Sequence, residues 1–383
     1  MARSKITNRI EAETGMPRLL SALTEEIAPS DLKSLLLSVY KNRAQSIHES
    51  DLLNRTGRDA LFAPSAIDPR ILNCFDRHAF DAAGDFEAID LSPVCPLGTN
   101  LVLGGIDQNN VLTTIRNAEV LGDPTPALAI ECARRRKRLA ERSAGRRVRL
   151  CSSHRVVRLQ PFDVPGFTPH FRLFGLVSAG RDTGSNAVET EQIGEHIRFY
   201  LKLFRALNTE GFRLTKPLVE VSDVAISGIL LGAVGISAAE VRESVRAHIP
   251  GGSARLLKER GVKLPADIAD PARELNGLAQ QHGLEIQLRR LVQIKEQVFD
   301  SLKSEYPEAD FRFNLARLEG LGYYTGLCLR VSPAAPDGLR RGIADGGFTD
   351  WTARLLQDRK ERFFISGIGT EYACRAYRAR QET

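Results

Sequence analysis

The chain has 383 residues, enough for two or three domains around a sizeable core. Its composition, 43% hydrophobic and 26% charged, is that of an ordinary globular protein, and no apolar run is long enough to span a bilayer. The formal net charge of +6 is modest, and the six cysteines are scattered without Cys-x-x-Cys spacing, which argues against a zinc site or a disulfide framework. No signal-peptide hydrophobic region follows Met1-Ala2-Arg3-Ser4-Lys5, so a cytoplasmic location with reduced thiols is expected.

Residues 1–60 read as polar helices. Pro29-Ser30-Asp31 supplies a start signal, and Leu32, Leu35, Leu36, Leu37 and Tyr40 recur with helical spacing. A second helix is predicted over 68–82, after the break at Pro64-Ser65. From Phe86 the pattern turns to strands. Residues 86–94 partly alternate, and 101–103 and 111–120 are further candidates, with Asp107-Gln108-Asn109-Asn110 as the turn between them. Gly122-Asp123-Pro124-Thr125-Pro126 opens a helix over 127–138, where Asp123 or Thr125 fits the N-cap.

The positive charge is concentrated in Arg134-Arg135-Arg136-Lys137-Arg138, continuing through Arg142, Arg146, Arg147 and Arg149. Such a run suits nucleic-acid phosphates, but a solvated helix face accounts for it better, because a helical register spreads these side chains around the cylinder. Strands follow over 148–157 and 170–175. An amphipathic helix over 189–207 carries Ile193, Ile197, Tyr200, Leu201 and Phe204 on one face. Residues 212–222 are strand-like, and 223–305 read as helices over 224–231, 238–248, 272–282 and 284–305. Residues 315–329 then form an apolar, strand-like run broken by Gly320, Gly322 and Gly326, with Tyr323-Tyr324-Thr325 at its centre. On a strand the two tyrosines point to opposite faces, one lining a pocket and the other packing beneath it.

This last stretch carries a resemblance. Glu319 to Gly326 resembles Arg-Gly-Leu-Asp-Tyr-Tyr-Thr-Gly, the signature of histidyl-tRNA synthetase and its paralogues. Ala344-Asp345-Gly346-Gly347-Phe348-Thr349-Asp350 looks like the family's Gly-Gly-Arg-Tyr-Asp. Phe364-Ile365-Ser366-Gly367-Ile368-Gly369-Thr370-Glu371-Tyr372 is similar to motif 3 of class II synthetases. Upstream, the segment ending at Pro93 is similar to motif 1, residues 148–157 and 170–175 to the two strands of motif 2, and 162–168 to its loop. The resemblance implies an α+β fold, a class II antiparallel sheet flanked by helices. It divides the chain into a helical extension (1–83), a first part of the core with motifs 1 and 2 (84–222), a helical insertion (223–305) and a second part with motif 3 (306–383). No anticodon-binding domain is expected, and motif 1 implies a homodimer.

The resemblance also implies site residues. Asp123, with Thr125 in support, stands at the family's recognition point for a substrate amino group. Tyr323, Tyr324, Thr325, Gly326, Gly346 and Gly347 stand in the ligand pocket, Arg155 at the arginine that grips the ATP α-phosphate, and Gly367 and Gly369 beside the nucleotide. No metal ligand is assigned. Other positions depart from the pattern: the family's leading arginine is Glu319, its Leu-Asp-Tyr-Tyr aspartate is Gly322, its motif 2 glutamate is Val157, its return-strand glutamine is Leu173, and its motif 3 arginine is Tyr372, with Arg375 nearly a turn beyond. A carboxylate ~4 Å from a phosphate costs on the order of 4 kcal/mol at an effective dielectric near 20. Arg317, two residues before Glu319, is a candidate to pair with it or replace the lost charge.

Two functions follow. The first is a paralogue that charges no tRNA, binds an amino-acid-like ligand and acts in a regulatory or accessory role, with a partner enzyme, as the regulatory subunit of ATP phosphoribosyltransferase does. The second is a ligase that uses Mg-ATP to adenylate a carboxylic or amino acid for a non-tRNA acceptor, with Arg155 catalytic. RNA binding through the basic run is a third and weaker reading. His154 and His170 flank the motif 2 loop, while His48, His78, His196, His248 and His282 read as surface or helix residues, and no Ser-His-Asp or Cys-His grouping emerges.

Overall fold

The computed structural model describes residues 5–140, 147–160, 168–246 and 252–378. Its strands are β1 (Glu87–Ala88), β2 (Val94–Pro96), β3 (Thr113–Thr114), β4 (Ala118–Val120), β5 (Val148–Val157), β6 (His170–Arg181), β7 (Thr215–Asp223), β8 (Asp310–Phe313), β9 (Leu327–Ala334), β10 (Ala344–Thr349) and β11 (Glu361–Gly369). Eight of them form one sheet in the order β1-β5-β6-β11-β10-β9-β7-β8, and β2-β4-β3 make a small separate sheet. The interior pairs of the large sheet are antiparallel, whereas β1 on β5 and β8 on β7 add a parallel strand at each edge. β7 and β8 are neighbours although the helices of 224–305 lie between them in sequence, so chain on both sides of that segment completes one sheet.

Strand alternation gives the sheet two unlike faces. In β5 and its neighbours, Val148, Leu150, Val177, Phe363 and Ile365 meet the helix Pro124–Ala140 through Leu128, Ala129 and Cys132; this is the front face. The alternate residues form the back face. There Cys151, Phe174, Leu176 and Phe364 pack under the helices Pro69–Ala83, Ala187–Asn208 and Thr370–Tyr377. The 187–208 helix forms as the 3.6-residue spacing of Ile193, Ile197, Tyr200 and Phe204 requires, and all four are buried. Phe174 stacks on Phe199 with ring centroids 5.5 Å apart. Each large side chain buried here is worth about 1.5–3 kcal/mol.

The back-face core holds a polar chain. His196 Nε2 lies 3.0 Å from Ser178 Oγ and its Nδ1 2.7 Å from Ser366 Oγ, which also accepts from the Tyr200 hydroxyl at 2.8 Å. His196 is thus not a surface residue but wholly buried. Gly346 makes room on this side, since a Cβ there would come within 2.5 Å of the Ile365 carbonyl.

Other expectations change in detail. Residues 99–102 form a helical turn rather than a strand, Gln108–Asn110 is a 3-10 turn, and pairing in 111–120 is confined to β3 and β4. Of 86–94, only the ends join strands. The helix expected over 272–282 is two, Pro271–Glu274 and Asn276–His282, and that over 284–305 contains a π turn at Lys295–Phe299. The helix Pro29–Gln45 forms, yet none of its side chains is buried, and Leu35 and Tyr40 are exposed. No single helix among the described residues is long and apolar enough to cross a membrane.

Burial pulls the His196 imidazole from its ordinary value near 6.5 down to about 3. The unfolded chain therefore binds a proton on this group at a pH where the folded chain does not. The stability it contributes is complete above pH 6.5 and is lost as pH falls toward 3. Each unit of difference is worth about 1.36 kcal/mol. In denaturant titrations across this window, His196→Gln should flatten the fall in unfolding free energy; an unchanged slope would refute the assignment.

Candidate functional site

The Tyr-Tyr-Thr stretch is not a strand. β9 begins only at Leu327, and Gly322 adopts φ +82°, a backbone that glycine takes without strain. The Tyr323 and Tyr324 amides both donate to the Gly320 carbonyl, at 3.1 and 2.9 Å, closing a tight turn. Both rings therefore lie together on the front face, edge to face with centroids 4.9 Å apart, rather than on opposite faces as strand alternation predicts. Tyr323 also meets Trp351, with centroids 5.9 Å apart. The Tyr324 ring sits between two glycines. A Cβ on Gly320 would approach it to 2.5 Å and one on Gly347 to 2.6 Å. The Thr325 amide donates to the Phe348 carbonyl at 2.8 Å, and the Gly326 carbonyl accepts from the Val224 amide at 3.1 Å, which fastens the turn to β10 and to the helix Val224–Ala233.

The Tyr324 hydroxyl donates to Asp345 Oδ1 at 2.6 Å, and the other carboxylate oxygen of Asp345 accepts from the Arg317 guanidinium. Arg317 is 3% exposed. Burial, the largest single influence, pulls its pKa down, but Asp345 together with Cys328, Tyr324 and Glu319 more than offsets it and raises the pKa, so the guanidinium stays charged. Burial, and then Asp345, hold the Tyr324 phenol far above its ordinary range, so it acts as a donor. Arg317 thus pairs with Asp345, not with Glu319, whose cationic neighbour is Arg330 at 3.6 Å. Asp345 also belongs to a cross-strand row, Gly175–Gly367–Asp345–Arg330–Glu220, running through β6, β11, β10, β9 and β7. Its charged end alternates in sign, the stabilising order for directly opposed residues.

At the glycine end of the row lies Asp123. Its Oδ1 accepts from the Thr125 amide at 2.8 Å and the Thr125 hydroxyl at 2.7 Å, capping the helix Pro124–Ala140. Its Oδ2 accepts from Arg158 at 3.1 Å, while Arg158 Nε donates to the Gly122 carbonyl at 2.7 Å. The Tyr323 hydroxyl reaches Thr125, and burial, reinforced by Asp123, raises the Tyr323 phenol pKa. Gly175 seats Pro124, because a Cβ there would lie 2.9 Å from the proline ring. Gly367 leaves bare floor beside Asp345, and Gly369 lies against Tyr372. Asp123, Thr125, Tyr323, Tyr324, Gly347 and Gly367 are therefore brought together.

Arg155 is not. It projects from the back face, where it donates to Glu371 at 2.5 Å and to His170 Nδ1 at 2.9 Å. His170 Nε2 in turn meets the Ala63 carbonyl at 2.7 Å, which fits an Nε2–H imidazole. The guanidinium beside the front-face cluster belongs to Arg158, three residues on and hence of opposite parity. That odd spacing was visible in the sequence, but the register that gives it meaning was not. His154 lies on the front face, buried, with burial lowering its pKa. The motif 2 loop, apart from Thr168, and residues 247–248 of the helix expected over 238–248 lie outside the described residues.

The basic run is largely committed to carboxylates. Arg134 and Arg135 pair with Glu131, Arg136 with buried Glu361, and Arg147 and Arg149 with Glu191 and Glu195; Arg142 and Arg146 lie outside the described residues. Cys74, His78 and Glu210 bring three ligand-type atoms within 4.8 Å of one another, a grouping that spacing had not revealed. There the Glu210 carboxylate already accepts from Arg77 and meets His78 Nε2, each at 2.9 Å.

A scan of protein-family models finds no match for the chain, and a search of curated proteins finds no significant one. Solved structures do match. An ATP phosphoribosyltransferase regulatory subunit/histidyl-tRNA synthetase from Bacillus halodurans superposes with TM-score 0.61 at 16% identity, over 83% of this chain and 82% of that one. A histidine–tRNA ligase subunit from Alicyclobacillus acidocaldarius gives 0.60 at 18% identity, over 82% and 94%. Histidyl-tRNA synthetase from Nostoc gives 0.56 at 19% identity, over 80% and 70%. The chain has the class II synthetase fold. Within that fold its similarity is to the histidyl-tRNA synthetase-like core, as the Tyr-Tyr-Thr-Gly and glycine-rich segments imply.

Two substitutions probe the packing of the front-face cluster. Gly347→Ala should cost roughly 1–3 kcal/mol by overpacking against Tyr324. Tyr324→Phe should cost about 1 kcal/mol through the lost hydroxyl bond. Urea unfolding measures both, and a Gly347→Ala variant as stable as wild type would contradict the packing described.

Proposed function

We propose that this chain is a histidyl-tRNA synthetase-like paralogue that charges no tRNA. On this reading it binds an amino-acid-like molecule between Asp123, Thr125, Tyr323 and Tyr324 and serves a regulatory or accessory role. One observation carries the reading. Arg155, at the position expected to grip the ATP α-phosphate, projects from the back face and is held by Glu371. Glu319 adds to this by standing where the family carries its other phosphate-facing arginine, and a carboxylate there opposes a developing phosphate charge. The residues present do not fit a triphosphate. Asp123 and the tyrosine hydroxyls do suit an ammonium and polar groups of a small zwitterion. The Bacillus halodurans neighbour is described as an ATP phosphoribosyltransferase regulatory subunit/histidyl-tRNA synthetase, which supports a partner enzyme, while the resemblance to motif 1 at Pro93 supports a homodimer.

The ligase alternative draws on a single feature. Arg158, beside Asp123 and Tyr323, is a guanidinium on the front face, where it would have to serve Mg-ATP together with Gly367 and Gly369.

Thermal unfolding separates the two. Histidine or another amino acid at a hundred times its dissociation constant should add about 2.7 kcal/mol, and Mg-ATP should add nothing. Asp123→Asn and Tyr323→Phe should abolish the amino-acid effect. A stabilisation by Mg-ATP alone would favour the ligase.

A further inference from the structure

Cys74 and His78 stand four residues apart on the helix Pro69–Ala83, so their side chains lie one above the other on a single face. Glu210, in the turn that follows the helix Ala187–Asn208, closes on them from the side. That turn is held in place. The Glu210 amide donates to the Leu207 carbonyl at 2.9 Å and the Phe212 amide to the same oxygen at 3.3 Å. The Phe212 ring meets Phe75 edge to face, centroids 6.3 Å apart, and both are buried. A thiol sulfur, an imidazole nitrogen and a carboxylate oxygen thus lie within 4.8 Å of one another on packed elements.

The hydrogen bonds inside this group do not close. His78 Nε2 lies 2.9 Å from Glu210 Oε1 and 3.3 Å from Arg77 Nη2. An Nε2–H would suit the carboxylate but face a guanidinium N–H. A bare Nε2 would suit the guanidinium but turn its lone pair on the carboxylate. Neither tautomer serves both contacts. A positive charge between them does, and Arg77 Nη2, 2.9 Å from the same Glu210 oxygen, supplies one. The Arg77 side chain is 62% exposed and free to swing into water. Its guanidinium occupies the place of a cation that all three donors could share, since the Cys74 thiol also bonds to the Glu210 carboxylate.

We infer that Cys74, His78 and Glu210 form a site for a thiophilic divalent cation, by its donor set Zn²⁺, with water in the fourth position. Zinc takes sulfur at about 2.3 Å and nitrogen or oxygen at about 2.0–2.2 Å, which sets tetrahedral ligand atoms about 3.3–3.6 Å apart. Small side-chain rotations bring the three atoms to that spacing. Cys74 binds as the thiolate, its proton passing to solvent, and Arg77 leaves. The ion ties the helix Pro69–Ala83 to the end of the helix Ala187–Asn208. Spacing in the sequence hides such a site, because the third ligand is 132 residues from His78. The inference is independent of the ligand proposed at Asp123, on the other face of the sheet.

Cobalt(II) titration of the reduced, untagged full chain tests it. One Co²⁺ should bind with a thiolate-to-cobalt charge-transfer band, and Zn²⁺ should displace it. Cys74→Ser should abolish the band. His78→Ala and Glu210→Gln should each weaken binding at least tenfold, all with unchanged circular dichroism spectra. Arg77→Ala, which removes the competing guanidinium, should tighten binding at least threefold. The inference is overturned if no band forms, or if the band survives in Cys74→Ser, which would place the ion on another cysteine. It is also overturned if His78→Ala or Glu210→Gln binds as wild type does. Binding no tighter in Arg77→Ala would overturn the part given to that guanidinium.

Discussion

A buried guanidinium organises the front face. Arg317 is carried into the protein on a turn that no strand ladder holds, so its charge must be balanced locally, and Asp345 on β10 does this. Leaving a buried charge without its partner costs roughly 3–5 kcal/mol, which fixes the turn to the sheet more firmly than its apolar contacts do alone. The same carboxylate takes the Tyr324 hydroxyl, and the ring can reach it only because Gly320 and Gly347 carry no Cβ. Removing any one of these groups leaves the others strained or unsatisfied.

From this anchor the two faces divide their tasks. The back face is a packing surface, with three helices, stacked aromatics and a polar chain through His196 that is sealed from water. The front face is polar at one end and bare at the other: the alternating Asp345, Arg330 and Glu220, then the glycine floor, then Asp123 with Arg158. Phosphate chemistry needs an uncommitted cation on the same face; Arg155 is held by Glu371 on the other, and Arg158 is held by Asp123 and the Gly122 carbonyl.

Much of the architecture was legible from short-range pattern. The helix Ala187–Asn208 followed from its apolar stripe, the helix Pro69–Ala83 from the break at Pro64-Ser65 before it, and the glycine-rich β10 and β11 with the helix after them from motif resemblance. What could not be read depended on pairing between distant residues. Alternation alone could not say which face of β5 the helix Pro124–Ala140 covers, because this requires its partner β6 and the helices over both, so the resemblance pointed to Arg155 and gave Arg158 no role. The tyrosine pair was read as strand because apolar content is the same in a strand and in a buried turn; the glycines, one of them at positive φ, decided otherwise. His196 read as a surface or helix residue; it is in a helix, but its burial comes from Phe86 and Phe364, far away in sequence. The same long-range logic turned the basic run into a set of ion pairs.

The central claim is that this chain keeps the pocket of a class II synthetase core without its adenylating chemistry. ATP–pyrophosphate exchange in the presence of each amino acid tests that directly, because exchange requires only activation and no acceptor. The account predicts no exchange above background with any amino acid, including one that stabilises the protein against heat. Exchange with any amino acid, abolished by Arg158→Ala, would contradict it and establish the front-face guanidinium as the phosphate-binding group.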